Sequence, residues 1–194
     1  LPHLVDKVAG NLIRLGITPG DVITLQLPNS WQLNILLLAC ARVGAVAAPV
    51  VPIMRHREVE YMMRLTQSPL YIAADTYRDY DYTELADELA SSLPCFRTAI
   101  IVGEHRPHRW PEFTEALLGD HDISTATLTE REAHPDDLAQ IMFTSGTTGE
   151  PKGVMHTHNT LHAMNHAQAH VLGLTADDVT ALGTLGQILL GVLG

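Results

Sequence analysis

The residues whose types and spacing could do chemistry lie together in one stretch, Phe143-Thr-Ser-Gly-Thr-Thr-Gly-Glu-Pro-Lys-Gly-Val154. Seven of its twelve residues are Gly, Ser or Thr, and a single cation, Lys152, follows them. Gly146, Gly149 and Gly153 permit close backbone approach and positive φ angles. Successive N–H groups in such a turn can point inward and form an anion nest. Thr144, Ser145, Thr147 and Thr148 add hydroxyl donors without adding charge. Lys152 supplies a point cation suited to phosphate, and Pro151 stiffens the exit. Together these would hold a polyphosphate while leaving it able to move or depart. The plain alternative is a flexible hairpin between two strands, since Gly/Ser/Thr clusters usually mark loops.

The spacing excludes two better-known phosphate loops. In the G-x-x-x-x-G-K-[ST] pattern, counting from Gly146 puts Pro151 where the second Gly belongs and Gly153 where Ser or Thr belongs. The G-x-G-x-x-G pattern is not met either.

Other chemistry-bearing residues make weaker patterns. His156 and His158 would share one strand face, but two His without a nearby Cys or carboxylate fall short of the usual ligand count. His162, His166 and His170 recur at helical spacing. That stripe could chelate a metal or sense pH, although a solvated or partner-facing stripe accounts for it. Asp75, Asp79 and Asp81 lie among Tyr77, Tyr80 and Tyr82. They lack the central Gly and final Glu of a calcium loop, so a solvated turn is expected. Trp31 reads as a core or interface anchor, and Tyr61, Met62 and Met63 as core packing. No metal site is expected.

Composition narrows the partners. The chain has 194 residues, 46% hydrophobic and 18% charged, with a formal net charge of −10. A packed core is expected, and disorder is not. The acidic balance disfavours nucleic acid and anionic membranes, which need clustered Lys and Arg. Cys40 and Cys95 make no metal spacing and read as buried thiols, which suits a reducing cytoplasm. The longest apolar run, residues 35–41, is too short to span a bilayer, which needs about 20 residues. The start, Leu1-Pro-His-Leu, reads as the middle of a longer protein.

The elements that must position the loop alternate along the chain. Helical spacing over residues 4–15 precedes the turn Thr18-Pro-Gly-Asp21 and a strand over 22–27. Asn29 or Ser30 is expected to cap a helix over 31–43. A strand over 45–51, a helix over 57–66, a strand over 70–74, a helix over 82–93 and a strand over 98–102 follow. Thr83 or Tyr82 would stand near the cap of the fourth helix. Residues 104–137 read as a long surface connection with one short helix at 111–118. A strand over 138–143 leads into the loop, residues 153–157 suit another strand, and Asn159 would cap a helix reaching residue 172. This order predicts an α/β fold with a largely parallel sheet flanked by helices. Ligands in such sheets bind at the carboxyl ends of strands, where the loop would sit.

The string Thr144-Ser-Gly-Thr-Thr-Gly-Glu-Pro-Lys-Gly153 resembles the phosphate-loop signature of the adenylate-forming superfamily, [ST]-S-G-[ST]-[ST]-G-x-P-K-G in outline. Every fixed position is met. That group includes acyl-CoA synthetases, aryl-CoA ligases, luciferases and peptide-synthetase adenylation domains. Residues 16–29, with Gly16, Gly20, Asp21, Pro28 and Asn29, resemble the family's entry strand and the turn after it. Residues 37–49 resemble the helix and strand that follow, and residues 51–58 are most similar to medium-chain and alicyclic acyl-CoA ligases. The resemblance extends to about Val171.

The resemblance implies part of the large N-terminal, AMP-binding domain. Residues 1–103 would form a first α/β portion, 104–137 a connection, and 138–194 the phosphate loop and the helix after it. The small C-terminal domain with its catalytic Lys has no counterpart, so no catalytic residue is expected here and the chain alone should be inactive. The implied reaction is ATP-dependent activation of a small carboxylic acid, as in fatty acid metabolism, to an acyl-adenylate, with magnesium accompanying ATP. Transfer to coenzyme A follows. The implied nucleotide-binding residues are Thr144, Ser145, Gly146, Thr147, Thr148, Gly149 and Lys152. Residues 180–194 depart from the family's Pro-x-x-His pattern. Two alternatives remain: a non-catalytic nucleotide- or anion-binding module, and a peptide-synthetase adenylation domain. Exposed apolar surface would make a homo-oligomer possible.

Overall fold

Val22–Gln26 (β1) is buried at every residue. A strand covered on both faces needs partners on both edges and helices above and below. In the computed structural model, which describes residues 1–103, 109–119, 125–144, 150–175 and 178, β1 has all of these. Val46–Pro49 (β2) and Leu70–Ala74 (β3) flank it, each in parallel. Thr76–Tyr77 (β4) and Tyr80–Asp81 (β5) form a separate small hairpin. Thr98–Val102 (β6) extends the main sheet beyond β3, and Leu138–Thr144 (β7) extends it beyond β2, both in parallel. Lys152–Thr157 (β8) closes that edge antiparallel to β7. The order is β6-β3-β1-β2-β7-β8, the expected largely parallel sheet.

Seven helices surround it among the described residues: Pro2–Arg14 (α1), Trp31–Arg42 (α2), His56–Thr66 (α3), Tyr82–Ser92 (α4), Phe113–Leu118 (α5), Thr125–Thr129 (α6) and His158–Leu172 (α7). The connections β1-α2-β2 and β2-α3-β3 cross the sheet in opposite directions. Right-handed crossovers therefore place α2 and α3 on opposite faces. Consistently, α1 packs against α2 and α5, and α3 packs against α4.

Helix caps refine the expected boundaries. Of the two candidates before α2, Ser30 is the cap, its Oγ accepting from Leu33 N at 3.3 Å. The cap of α4 is Asp81, one residue earlier than expected. Its carboxylate accepts from Thr83 N at 2.8 Å and Glu84 N at 3.3 Å, which a tyrosine at that position could not do. The cap of α7 is Thr157, whose Oγ1 accepts from Thr160 N at 3.2 Å. Asn159 instead donates to Asp136 Oδ1 at 2.6 Å.

Parts of the described residues between 109 and 137 pack inward. Phe113, Ala116, Leu117 and Leu128 join the main core. Ala116 and Leu117 both lie one helical turn after Phe113, so α5 presents the three as one apolar face. The buried Asn11 of α1 donates to Leu117 O at 3.0 Å and Gly119 O at 3.1 Å, tying the segment down. Trp31 is half-exposed rather than central, its ring edge-on to Phe113 at 5.8 Å. Met62 and Met63 are buried in the core as expected, with Tyr61 only partly covered.

Two buried hydroxyls beside β1, Thr24 and Ser68, are matched to one another. Thr24 Oγ1 donates to Ser68 Oγ at 2.9 Å, and Ser68 Oγ donates to Val22 O at 2.8 Å. Cys40 is fully buried, and burial pushes its thiol up to about 12. Cys95 is only partly buried, contrary to its sequence reading, because it lies on the turn between α4 and β6.

Candidate functional site

The phosphate-loop string joins β7 to β8 as a hairpin. In the ladder Thr144 lies opposite Lys152 and Phe143 opposite Gly153. Thr144 Oγ1 reaches Lys152 O at 3.5 Å, across the mouth of the hairpin. A Cβ on Gly153 would stand 3.0 Å from Ile141 and 3.3 Å from the Phe143 ring, so a side chain there would make those two neighbours give by a few tenths of an ångström. Thr144 and Lys152 are both exposed. Ser145, Gly146, Thr147, Thr148 and Gly149 lie outside the described residues.

Because β7 runs parallel to β1, β2, β3 and β6, the hairpin leaves the sheet on the edge where all their carboxyl ends emerge. The chain moves to β2 after β1 but to β6 after β3, so the topological switch lies between β1 and β3. A buried polar knot occupies it. Gln26 Nε2 donates to Val51 O at 3.2 Å and Met54 O at 3.0 Å, and Tyr71 Oη donates to Gln26 Oε1 at 2.6 Å. Burial pushes the Tyr71 phenol well above its ordinary value. Tyr82 Oη donates to Pro52 O at 2.6 Å, and the Arg55 guanidinium donates to Pro52 O at 2.8 Å while stacking on the Tyr80 ring at 4.0 Å. These bonds hold the backbone of residues 51–55 and set the start of α3.

That helix reaches the loop. Tyr61 stands by the Glu150 carboxylate, whose hold on the phenol proton raises its pKa above the ordinary value. Glu150 is the variable position of the signature, so its spacing could not reveal the contact. Asp75 also differs from expectation. It is buried beside Gly103 rather than solvated, and its Oδ1 accepts from Thr76 N at 2.5 Å.

The two histidines after the loop do not share a strand face. His156 lies on β8 opposite Gln140, whereas His158 begins α7. Capping by Thr157 turns the chain into the helix between them. His162, His166 and His170 are exposed on α7, with the first two rings 6.0 Å apart. No group of three His, Cys, Asp or Glu among the described residues could hold a metal ion. No helix among them is long and apolar enough to cross a membrane.

His158 has a distinct electrostatic setting. Burial lowers its pKa below 6.5, against a smaller upward pull from Asp137. A base whose folded pKa lies below its unfolded one binds fewer protons when folded, so stability falls as pH drops through about 6.5. We expect the unfolding free energy to decline more between pH 7 and pH 6 in the native chain than in His158→Gln. Urea titrations at the two pH values measure the difference. It should be small, since the ring is only part-buried and solvent screens it. Equal declines would contradict the assignment.

Comparison with known proteins follows the same lines. The family described as AMP-binding enzyme matches residues 1–186. The chain is similar to a medium-chain fatty-acid–CoA ligase of Escherichia coli strain K12, 32% identical over 92% of this chain and 31% of the relative. It is equally similar to a salicyl-AMP ligase / salicyl-S-ArCP synthetase of Mycobacterium tuberculosis, at 32% identity over 92% of this chain and 31% of that one. Among solved structures, apo MbtA of Mycobacterium smegmatis superposes with a TM-score of 0.77 at 29% identity, covering 91% of this chain and 32% of that one. The chain thus spans about a third of the length of the relatives it matches. With the match running through the hairpin and the sheet that carries it, the chain belongs to the AMP-binding enzyme family.

Proposed function

We propose that the complete protein activates a carboxylic acid with Mg-ATP to an acyl-adenylate, releases pyrophosphate, and passes the acyl group to coenzyme A. The observation that supports this best is the Thr144–Lys152 hairpin mouth at the carboxyl edge of a parallel sheet, in a chain of the AMP-binding enzyme family. In this reading Ser145, Gly146, Thr147, Thr148 and Gly149 cradle the β- and γ-phosphates, and Thr144 supports the loop. Lys152 offsets the charge of the departing pyrophosphate. Magnesium arrives with the nucleotide, bound mainly by phosphate oxygens and water. None of these residues acts as a general base.

The relatives named as AMP ligases favour a second reading, in which the acyl group passes to an acceptor other than coenzyme A. The finer reading of the substrate, a medium-chain fatty acid, rests on residues 51–58 and on the Escherichia coli relative. The division into residues 1–103, 104–137 and 138–194 belongs to this proposal, with the middle part acting as a brace for α1 rather than a free connection. The free thiols Cys40 and Cys95 suit a reducing, cytoplasmic setting. Exposed Val154 and Met155 on the edge strand β8, with Met164, Val171 and Leu172 on α7, support self-association of this chain.

Calorimetric titration of Mg-ATP into the chain, with Lys152→Ala alongside, tests the role of the loop. Saturable binding should weaken about tenfold or more in the variant, the worth of one charge-assisted hydrogen bond. Equal binding by two folded proteins would remove Lys152 from the phosphate site. Loss of the loop's chemistry in the complete protein, with nucleotide still bound, would favour a non-catalytic binding module.

A further inference from the structure

Helix α7 carries His162, His166 and His170 at intervals of four residues, so their imidazoles rise from one face of the helix. The first two rings stand 6.0 Å apart, centre to centre, and are tilted 40° to one another. All three residues are exposed. The pair His162 and His166 lies at least a full turn inside either end of α7, on regular helical backbone. Leu161 and Asn165, beside them in sequence, are buried and hold the neighbouring face of the helix. Nothing on α7 opposes a cation. Its fifteen residues include no Lys and no Arg, the formal net charge of the chain is −10, and a helix C-terminus is the negative end of its dipole. Spacing alone left a solvated stripe as a sufficient account, and the close ring pair is what the structure adds.

We propose that His162 and His166 form a surface site for a divalent late transition metal, copper(II) above nickel(II) or zinc(II). Two His one helical turn apart are the imidazole pair that helical zinc sites use. Two imidazoles on one metal, at about 2.1 Å each, put their ring centres roughly 4.5–5 Å apart. Rotation about χ1 and χ2 closes the remaining distance of about 1 Å, a motion that exposed side chains make within nanoseconds. Imidazole suits copper, nickel and zinc, with copper first in affinity, whereas magnesium takes oxygen ligands. The magnesium that accompanies a nucleotide therefore does not compete for the pair, and the site does not depend on the nucleotide reading. Water completes the coordination. A site with two protein ligands falls outside the groups of three or more His, Cys, Asp or Glu, of which the described residues have none. His170 lies two turns from His162, about 12 Å along the axis, and cannot join it on one ion.

The test is calorimetric titration of the full chain, free of any histidine tag, with copper(II) held by iminodiacetate. That probe keeps open positions for two imidazoles and so passes over lone histidines. One equivalent should bind per chain. His166→Ala should weaken binding about a hundredfold or more, because a chelate becomes a lone imidazole and loses the effective concentration of its second arm. His170→Ala should leave the affinity unchanged, and His162→Ala, which keeps only the pair 166 and 170, should weaken it. Imidazole ligates only when deprotonated, so binding by the native chain should fade as the pH is lowered. Circular dichroism should show all three variants folded, since these positions are exposed. Binding by His166→Ala as tight as by the native chain would overturn the proposal, with the metal then held elsewhere among the eleven His of the chain. So would a loss in His170→Ala as large as that in His166→Ala, which would put the ion on the other pair. No saturable binding by the folded native chain would leave the stripe merely solvated.

Discussion

Gly103→Ala is expected to lower the unfolding free energy by about 3 kcal/mol or more, and to displace Asp75. Gly103 has φ +136, a conformation L side chains rarely adopt, and a Cβ there would stand 2.3 Å from the Asp75 carboxyl carbon and 2.4 Å from each of its oxygens. The carboxylate has nowhere to retreat, because Asp75 is 3% exposed and Oδ1 already accepts from Thr76 N. The variant thus combines backbone strain with a buried carboxyl group forced off its donor. Gly20→Ala is the control. Its φ is +86 but nothing lies within 4 Å of the added carbon, so it should cost only the backbone term of about 1–2 kcal/mol. Urea unfolding of both variants measures the contrast. Equal losses would show that the contact with Asp75 contributes nothing.

Gln26→Leu is expected to cost about 3–5 kcal/mol, with a midpoint of thermal unfolding lower by roughly 10 °C. The side chain is fully buried at the end of β1 and pairs with three groups: Val51 O, Met54 O and Tyr71 Oη. Leucine fills similar space but leaves the Tyr71 phenol unpaired in the core and releases the backbone of residues 51–55. Arg55 still donates to Met54 O at 3.0 Å, so that carbonyl is not wholly orphaned. Adding Tyr71→Phe removes the stranded hydroxyl and should recover about 1–2 kcal/mol. A double variant no more stable than Gln26→Leu would mean that the phenol finds another partner.

The sheet was legible because its strands are short, apolar and separated by helical spacing. Val22–Gln26, Leu70–Ala74 and Thr98–Val102 stand where the alternation of residue types puts them, to within a residue. The family resemblance was legible because the signature is a local string whose backbone demands are written into Gly, Pro and Lys. The small hairpin of β4 and β5 was not. Its turn uses Arg78 and Asp79 at positive φ, without a glycine to announce it. The burial of α5 escaped notice because a polar surrounding sequence masks three apolar residues at helical spacing.

The sequence by itself determined the alternating α/β order and the phosphate-loop string with Lys152, since both depend on neighbours along the chain. It also determined that a core could form, because composition alone sets how much apolar surface there is to bury. Only the tertiary structure decided which polar residues meet. Gln26 and Tyr71 are 45 residues apart in the chain yet share one bond. Asp75 closes on Gly103, and Tyr61 on Glu150. A polar side chain's fate depends on whether a partner from a distant segment arrives before water is excluded. That is settled by strand order and crossover hand, which no local pattern contains.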